Sequence, residues 1–555
     1  MNNLIQSRKI TPEEPCPVVE GRRRIQTQFG GYLQDESRTA ARTVRGIFLP
    51  HNLAQAADAI RQCRRRGWQL SIAGARTGIV GGAVPLEADA VLGLEKLNRI
   101  YSLNYHIPGD HFSARVGAGV VLSEFQEALR TTRPHELPWE DERTAAAAER
   151  RIKDAGQRLF YPVDPTETSA QIGGTIATNA SGARSFYYGP TRKWVQGLTV
   201  VLSCGEVVEL QRGRCVASED DGAFVLETSD GQQRRIPLTH LELPDTKHQA
   251  GYHLAPDRQE AGIDAVDLFI GSEGTLGIIV AAELKLTFPP AERLFATAFL
   301  PDESSAVNVV RALRTQTRNS DGAPKAVAME YIGPGALKML RGKRREEGAT
   351  SGVPILPDKA GCALYLELAF DGNQEFDETY TGLRRLLQKN GTAPERTWAG
   401  LWPGEMDAMK KFRHAVPEHI NAIIGRRKRD VPELHKVGTD MAVPDEHLPD
   451  VLELYRNRLE ESGLEYVIFG HIADNHLHVN ILPRTDDEVE QAMELYRQFA
   501  EEVVNMNGSV SAEHGIGRMK KAFLHIQFDN RELEAMKQVK DSLDPQGMLN
   551  PGVIY

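Results

Sequence analysis

Three histidines and two asparagines are grouped within one segment, Tyr466–Arg484, whose sequence is YVIFGHIADNHLHVNILPR. If the part that begins at His476 forms a β-strand, successive side chains alternate between its two faces. His476, His478 and Asn480 then lie beside one another on one face, and the apolar residues between them face the core. His471 lies seven residues before His478, across a turn. The spacing therefore predicts that these imidazoles lie close together.

A carboxylate and another histidine occur in the segment GSVSAEHGIGRMKK (Gly508–Lys521), where Glu513 and His514 are expected at the end of a strand. Two imidazoles and one carboxylate can bind a divalent metal ion, either zinc or manganese, and leave open positions for a substrate. The spacing also allows a second interpretation, because a histidine in a strand is usually a hydrogen-bonded structural residue. The residues alone do not decide between the two.

A glycine-rich loop, SIAGARTGIVGGAVP (Ser71–Pro85), is a candidate anion-binding site. Its glycines allow positive φ angles and let bare backbone N–H groups surround an anion such as a pyrophosphate. The pattern is neither G-x-G-x-x-G nor the ATP-binding P-loop, so a nicotinamide or ATP site is not implied. A tight surface turn is the alternative interpretation.

The elements that must position these residues fall into successive units. Residues 1–43 are polar and are expected to form an arm with little core of its own. Short apolar strands alternate with amphipathic helices across residues 44–290, with a charged, alanine-rich helical insertion at 138–157. Residues 291–505 mix strands with long helices, which predicts an antiparallel α+β sheet covered by helices on one face. Residues 506–555 form a C-terminal segment.

Composition excludes several classes of function. A net charge of −10 argues against nucleic-acid binding, because phosphate contacts need clustered Lys and Arg. The five cysteines form no C-x-x-C pair, which excludes an in-chain iron–sulfur cluster of the ferredoxin type and fits a reducing cytoplasm. No apolar run approaches the length of a transmembrane helix, so any membrane contact is expected to be peripheral, at the inner membrane.

Two further segments follow the glycine-rich loop: FYPVDPTETSAQIGGTIATNASGARSFYYGPTR (Phe160–Arg192) and DLFIGSEGTLGII (Asp267–Ile279). Together with the loop they resemble the FAD-binding domain of the p-cresol-methylhydroxylase (PCMH) and vanillyl-alcohol-oxidase flavoprotein superfamily, over about residues 45–290. The resemblance implies a PCMH-type FAD-binding domain of two subdomains. It also implies an α/β C-terminal domain of the FAD-linked oxidase type, with an antiparallel sheet and covering helices.

The resemblance assigns cofactor contacts residue by residue. The pyrophosphate loop corresponds to Gly74, Ala75, Arg76, Thr77, Gly78, Gly81 and Gly82. The ribityl chain and isoalloxazine are expected beside Pro165, Thr166, Gly173, Gly174, Ala177, Thr178, Asn179, Ser181 and Gly182. The adenine side is expected at Gly274, Gly277, Ile278 and Ile279. The tail DPQGMLNPG resembles one that returns to the FAD domain, with Asn550 near the flavin.

The flavin is expected to be dissociable. Some relatives carry a histidine or cysteine in the first loop that bonds the flavin covalently. Here the corresponding positions are Ala75, Arg76 and Thr77, none of which offers such a nucleophile.

The pattern G-H-x-x-D-x-x-L-H-x-N followed by E-H-G-I-G is similar to that of the D-lactate, glycolate and D-2-hydroxyglutarate dehydrogenase group. The resemblance implies that His471, His478 and Glu513 bind the metal, that Asn480 contacts the substrate and that His514 is the general base. The chain departs from the group at Ala473, Asn475 and His476, where relatives often have two glycines and an asparagine. His476 is thus an extra imidazole without an assigned role.

Two cations are candidates for gripping the substrate carboxylate. Arg413, in MKKFRHAVPEHI, matches an arginine of this group, and its guanidinium fork suits a carboxylate. A surface helix cation is the plain alternative, as at the neighbouring Lys410 and Lys411. Lys436, in LHKVGTDMAVP, is the second candidate, although its offset from Pro444 differs from that of relatives.

The resemblance implies oxidation of a D-2-hydroxy acid to the 2-oxo acid, with hydride transfer to N5 of the flavin. Metal-assisted deprotonation of the hydroxyl is expected, and electrons go to an external acceptor: a quinone, an electron-transferring flavoprotein or an iron–sulfur partner. Two alternatives remain open: an oxidase that uses oxygen directly, and a flavin subunit of a larger electron-transfer complex. A homodimer is compatible with the sequence.

Overall fold

The computed structural model describes residues 3–256, 262–319 and 324–555. Its N-terminal half contains two main sheets, which correspond to two subdomains of an FAD-binding fold. The smaller sheet, in spatial order, consists of Val18–Glu20, Gly46–Phe48, Ala90–Gly93 and Leu70–Ala73. The larger consists of Gln233–Pro237, Ala223–Glu227, Leu4–Arg8, Val207–Gln211, Val195–Val201, Ile278–Leu286, His111–Gly117 and Ile100–His106. Val216–Ser218 and Gly262–Asp264 form a separate pair.

Helices connect and cover these sheets. They are Arg22–Gln28, Leu53–Arg66, Leu122–Thr131, Glu142–Ala155, Ile172–Ala177, Ser185–Tyr188 and Ala265–Phe269. Leu53–Arg66 shows why such helices begin and end where they do: Asn52 caps its first turn by accepting from the N–H of Gln55, and Gly67 ends it in the left-handed conformation. The helix expected within 138–157 is Glu142–Ala155, between the caps Asp141 and Gly156.

The expectation of a separate N-terminal arm at residues 1–43 is wrong. Leu4–Arg8 is an interior strand of the larger sheet, parallel to Ala223–Glu227 on one side and antiparallel to Val207–Gln211 on the other. Val18–Glu20 forms the edge of the smaller sheet, and Ile25 is fully buried. The segment is polar because its strands are short and only part of each faces the core.

The C-terminal half is built on one sheet in which every pair of neighbouring strands is antiparallel. Its spatial order is Thr397–Gly400, Glu292–Leu300, Cys362–Phe370, Lys325–Ile332, Tyr466–His471, His476–Ile481 and Val437–Gly438, and Met441–Ala442 also pairs with His476–Ile481. The sequence-based expectation of an antiparallel α+β sheet is confirmed.

Helices pack against both faces of this sheet, not one face as expected. Leu364 and Leu366 of the central strand lie in the same core as Val310 and Leu313 of a helix on one face. Ala363 packs on the opposite face, in the core formed by the other helices. The helices of this half are Glu303–Asn319, Pro334–Glu347, Gly372–Lys389, Pro403–Arg427, Leu448–Ser462 and Asp486–Asn505.

The tail contains helices Lys521–Gln527 and Asn530–Leu543 and then returns to the FAD-binding half. There the N–H of Leu70 donates to the carbonyl of Met548, and the N–H of Asn550 donates to the carbonyl of Leu70. Residues 548–550 therefore pair alongside the strand that leads into the glycine-rich loop. No helix in the described ranges is long and apolar enough to span a membrane.

Candidate active site

The histidine segment forms the hairpin that its alternation predicts. Tyr466–His471 pairs antiparallel with His476–Ile481, so that His471 lies opposite His476. Leu477 and Val479 are at most 1% exposed and face the core. Because side chains alternate along a strand, His476 and His478 share the other face, and their ring centroids are 4.4 Å apart.

The turn between the two strands depends on a buried arginine. It consists of the 3₁₀ segment Ile472–Asp474 and Asn475, whose φ is 52°, a conformation that asparagine tolerates better than most residues. Arg314 donates to the carbonyl oxygens of Ile472 and Ala473 and to the side chain of Asn475, and it pairs with Asp445. The departures Ala473 and Asn475 are thus parts of a turn that Arg314 holds closed.

Four side chains converge beside this turn. One ligand atom from each of His471, His476, His478 and Glu513 lies within 4.8 Å of the others. Nε2 of His471 is 3.5 Å and Nδ1 of His476 is 3.8 Å from Oε2 of Glu513. The structure therefore brings together the three residues proposed as metal ligands, and it adds His476 to them. Glu513 and His514 lie in a loop, not at the strand end that was expected.

Glu330 joins this cluster to Arg413. Its Oε1 lies 2.5 Å from Nδ1 of His471, and its Oε2 accepts from Nε and Nη2 of Arg413 at 2.9 and 2.8 Å. Burial would raise the pKa of Glu330, but Arg413 and His471 lower it to about 2. Arg413, on the helix Pro403–Arg427, is therefore not a free surface cation. It is anchored beside the histidines by a buried carboxylate.

The carboxylate of Glu513 is held from the FAD-binding half of the chain. Its Oε1 accepts from Ser181 at 3.1 Å and from the ammonium group of Lys247. Burial would raise the pKa of Glu513, but Lys247 and His471 hold it well below its usual range. Oε1 is thus occupied by Ser181 and Lys247, and Oε2 faces the imidazoles.

Asp440 organises the loop that carries His514. Its carboxylate is fully buried and accepts from the N–H groups of Glu513 and His514 at 3.1 and 3.0 Å and from Lys520 at 2.5 Å. Its Oδ2 is 3.4 Å from Nδ1 of His514. The His514 ring stacks on that of His478, with centroids 5.8 Å apart. Its side chain remains 28% exposed and is accessible to a ligand.

Asn480 and Lys436 lie on the same edge of the sheet. Gly438 pairs with Asn480, and Lys436 comes two residues before Gly438. Within the described ranges the Asn480 amide makes no hydrogen bond and Lys436 has no carboxylate partner. Burial and, to a smaller extent, Arg38 lower the pKa of Lys436.

The glycine-rich loop presents unused donors. In the part of the chain that the structure describes, no backbone N–H of residues 75–80 donates to a protein acceptor. Gly81 has a φ of 75°, and Arg76 also adopts a positive φ, with its guanidinium stacked 4.4 Å from the Tyr32 ring centroid. Buried Gln171 points its unpartnered Oε1 toward Gly74. The row of free N–H groups fits an anionic cofactor, and Oε1 of Gln171 can accept a hydrogen bond from a donor group of that cofactor.

The other predicted flavin segments converge on this loop. A Cβ atom at Gly74 would lie 3.8 Å from the Cα of Gly174, and one at Gly182 would lie 1.9 Å from the Asp164 carbonyl oxygen, which requires glycine there.

The remaining predicted flavin residues lie around one short helix and one strand. Gly173, Gly174 and Ala177 belong to the helix Ile172–Ala177, and Pro165 and Thr166 precede it. Thr178, Asn179 and Ser181 follow the helix; Gly274 and Gly277 precede the strand that begins with Ile278 and Ile279. Loop residues Ala75, Thr77, Gly78 and Gly82 complete the predicted set.

Glu273 and Asn550 join these segments to the tail. Glu273 accepts from the N–H groups of Ile516 and Gly517 at 2.7 and 2.8 Å, three and four residues after Glu513. Asn550 accepts from the N–H of Ile72 and donates to the carbonyl of Glu273. The side-chain amide of Asn550 is therefore occupied in holding the glycine-rich loop's strand against the 273–279 segment.

Sequence reasoning missed Glu330, Asp440 and Lys247. Glu330 had a recognisable signal, because it is the lone carboxylate in the apolar run AVAMEYI. Asp440 follows Lys436 closely in VGTDMAV, but nothing in that pattern indicates burial. Lys247 lies in an irregular segment that carried no signal at all.

An FAD-binding fold of two subdomains, joined to an antiparallel domain with a buried histidine–carboxylate cluster, defines a flavin-linked oxidoreductase. Comparison with known families agrees. Residues 44–134 and 146–211 match the FAD binding domain, and residues 289–554 match the C-terminal domain of FAD linked oxidases. The chain therefore combines an FAD binding domain with a C-terminal domain of the FAD linked oxidase type.

Similar proteins span nearly the full chain. A D-2-hydroxyglutarate dehydrogenase of Stutzerimonas stutzeri is 26% identical, over 95% of this chain and 94% of the relative. A D-lactate dehydrogenase of Anaerostipes hadrus is also 26% identical, over 99% and 98%. Among solved structures, an alkyldihydroxyacetonephosphate synthase matches with a TM-score of 0.56 and 16% identity, over 93% of this chain and 77% of its own. At that identity the match shows the fold alone.

Proposed function

We propose that this chain oxidises a D-2-hydroxy acid to the 2-oxo acid with bound FAD and passes the electrons to an external acceptor. The observation that carries the proposal is the convergence of His471, His478 and Glu513 beside His514, with Glu513 hydrogen-bonded to Ser181 of the flavin segment. The names of the relatives, D-2-hydroxyglutarate and D-lactate dehydrogenases, support the substrate class.

FAD fits the free N–H groups of residues 75–80 and the segments that converge on them. FAD, when bound there, would supply the two-electron acceptor chemistry that side chains cannot supply. The chain's contribution is to hold the cofactor without a covalent link and to place the substrate beside Ser181.

A divalent metal, zinc or manganese, fits His471, His478 and Glu513 because each donor is aimed by a partner outside the cluster. Nδ1 of His471 faces Glu330, which leaves Nε2 toward Glu513. Such outer partners fix the tautomer and orientation of ligating histidines. When bound, the metal acts as a Lewis acid that lowers the pKa of the substrate hydroxyl.

His514 is suited to remove the hydroxyl proton. Burial, only partly opposed by Asp440, lowers the pKa of His514 to about 4, so the ring is neutral near pH 7 and has a free lone pair, but it is a weaker base than an ordinary histidine. Nδ1 faces Asp440, which leaves Nε2 for the substrate. Asp440 thereby sets the tautomer that a general base needs.

The substrate carboxylate is bound by Arg413, whose Nη1 is not used by Glu330. Asn480 and Lys436 supply further polar contacts from the neighbouring edge of the sheet. Because the base, the cation and the flavin segment approach from fixed directions, only one enantiomer presents its C2 hydrogen to the cofactor.

The test is a panel of D- and L-lactate, D- and L-2-hydroxyglutarate and glycolate, with an artificial dye as acceptor. Turnover of the D-acids with formation of the matching 2-oxo acids is expected. Comparable turnover of the L-enantiomers would contradict the stereochemistry, and no turnover of any acid by the FAD-loaded protein would contradict the activity. Slow reoxidation of the reduced flavin in air, followed by stopped flow, would distinguish a dehydrogenase from an oxygen-using oxidase.

The physiological acceptor is proposed to be a quinone, an electron-transferring flavoprotein or an iron–sulfur partner. All five cysteines are free thiols and are scattered through the chain, so they offer no cluster of their own for onward transfer. Isolation of the native complex, with each acceptor class then tested on the purified chain, separates the three.

A further inference from the structure

His476 has an unusual environment for a structural histidine. It is 0% exposed, and its Nε2 lies 3.0 Å from Oδ1 of Asp440. Its other ring nitrogen, Nδ1, has no hydrogen-bond partner among the described residues and lies 3.8 Å from Oε2 of Glu513. Buried polar atoms are rarely left unpaired, because the lost hydrogen bond to water costs about 1–3 kcal/mol.

The same arrangement recurs at His471. There Nδ1 faces the carboxylate of Glu330 outside the cluster, and Nε2 faces Oε2 of Glu513 inside it. His476 repeats this with the nitrogens exchanged: Nε2 faces Asp440 outside, and Nδ1 faces Glu513 inside. A carboxylate behind an imidazole is the arrangement that orients metal-binding histidines in proteins.

We propose that His476 is a fourth protein ligand, through Nδ1, of the divalent metal ion bound by His471, His478 and Glu513. The inference rests on the metal site of the proposed function and goes beyond it. A purely structural His476, whose Nε2 lies near Asp440 without an aligned hydrogen bond, would leave Nδ1 unsatisfied as well, in the centre of a cluster of donor atoms. A metal ion satisfies that atom and the neighbouring donors together.

The fourth ligand restricts the coordination of the metal. Four protein ligands fill a tetrahedral ion and leave no position for a substrate, as in structural zinc sites. A six-coordinate ion keeps two positions free, which is the number that the hydroxyl and one carboxylate oxygen of a 2-hydroxy acid need. The site therefore favours an ion that accepts six ligands, such as Mn²⁺, over tetrahedral zinc.

The inference is tested with metal-depleted protein reloaded with Co²⁺. The variant is His476→Asn, and the matched control is His514→Asn, because both imidazoles face Asp440 but only His476 is a proposed ligand. We expect His476→Asn to weaken Co²⁺ binding at least about 10-fold, measured by competition with a chelator, and to change the cobalt absorption spectrum. The control should bind Co²⁺ with near-normal affinity.

A second measurement needs no substitution and is unaffected by misfolding. Pulsed electron paramagnetic resonance of Mn²⁺-loaded protein with ¹⁵N-labelled histidine counts the imidazoles on the metal. Three coupled imidazoles are expected; two would overturn the role of His476 and leave the three-ligand site intact. Equal Co²⁺ affinity and identical spectra for wild type and His476→Asn would do the same. Failure of the wild-type protein to bind either ion would overturn the metal site of the proposed function as well.

Discussion

Arg413 and His471 bind the two oxygens of one buried carboxylate, that of Glu330. Nδ1 of His471 is hydrogen-bonded to Oε1. Nε of Arg413 donates to Oε2, and Nη2 forms an ion pair with the same oxygen. Since the pKa of Glu330 is lowered to about 2, this carboxylate is ionised throughout the physiological range. The side chain proposed to grip the substrate and a proposed metal ligand are therefore positioned by the same charge.

Glu330→Gln should weaken both functions together. Glutamine lacks the negative charge that pairs with Arg413, and its NH₂ group cannot accept a hydrogen bond from either His471 or Arg413. We therefore expect about a 10- to 100-fold loss of metal affinity and a higher KM for the substrate. Metal titration and steady-state kinetics measure the two effects. The control is Glu303→Gln, which removes a carboxylate that pairs with Arg456 away from the cluster. A variant with a raised KM and unchanged metal affinity would separate the two roles.

All flavin should be released when the protein is denatured, and it should be FAD. Ala75, Arg76 and Thr77 have no nucleophile that could form a covalent link, and the loop offers backbone N–H groups for a phosphate instead. Acid or heat denaturation followed by filtration and chromatography of the filtrate gives the answer. Flavin that remains with the precipitated polypeptide would contradict the prediction.

Chelation should reduce turnover while FAD stays bound. The proposed ligands belong to the hairpin and the Glu513 loop, whereas the proposed pyrophosphate contacts come from backbone N–H groups of residues 75–80, which do not depend on a metal. Activity and the flavin absorbance of the dialysed protein are compared before and after treatment with a chelator, and again after metal is restored. Normal turnover by protein shown by elemental analysis to be metal-free would refute the metal site.

His248 should make the fold sensitive to acid. Burial lowers its pKa to about 4, below the ordinary value near 6.5, and its Nδ1 bonds to Ser509 at 2.8 Å. Between these two pH values the unfolded chain binds a proton that the folded chain excludes, so stability is present above about pH 6.5 and is lost as the pH falls toward 4.

The His248 contribution is at most about 3 kcal/mol, at 1.36 kcal/mol per pKa unit. His248→Gln should therefore lose less stability than the wild type between pH 7 and pH 4 in denaturant titrations. His435→Gln, which alters an exposed histidine, should follow the wild type. Parallel curves for wild type and His248→Gln would show that this ring does not contribute.

The hairpin could be predicted from the sequence because its determinants are local. Alternation over six residues defines the face of His476 and His478. The turn lies just before His476, where Asn475 can adopt a left-handed conformation. The roles proposed for these residues, in contrast, come from the resemblance of a motif. Alternation alone would have favoured a structural role for these histidines.

The partners that aim these side chains could not be predicted because they come from distant parts of the chain. Glu330 is 141 residues before His471, and Lys247 is 266 residues before Glu513. Periodicity predicts which face of a strand is buried, but it does not tell which strands become neighbours. The same limit explains the mistaken arm: Leu4–Arg8 pairs with strands about two hundred residues away.

His514 provides the most direct test of the mechanism. As general base it acts on the proton and contributes little to ground-state binding, so His514→Ala should lower kcat by about 10²- to 10⁴-fold and change KM much less. Single-turnover reduction of the flavin by substrate measures the chemical step, and FAD and metal contents are determined on the same sample. Added imidazole should restore part of the rate, because it can occupy the space beside Asp440.

A structural role for His514 predicts a different result. If the ring only holds the Glu513 loop against Asp440, its loss should weaken metal binding and loosen the fold, and excess metal should restore the rate. Asp440→Asn supplies the comparison, since it keeps the His514 ring but removes the charge that orients it, and it should lower kcat without rescue by imidazole. Near-normal flavin reduction by His514→Ala with full FAD and metal would remove His514 from the mechanism and leave Lys436 or a metal-bound hydroxide as the candidate base.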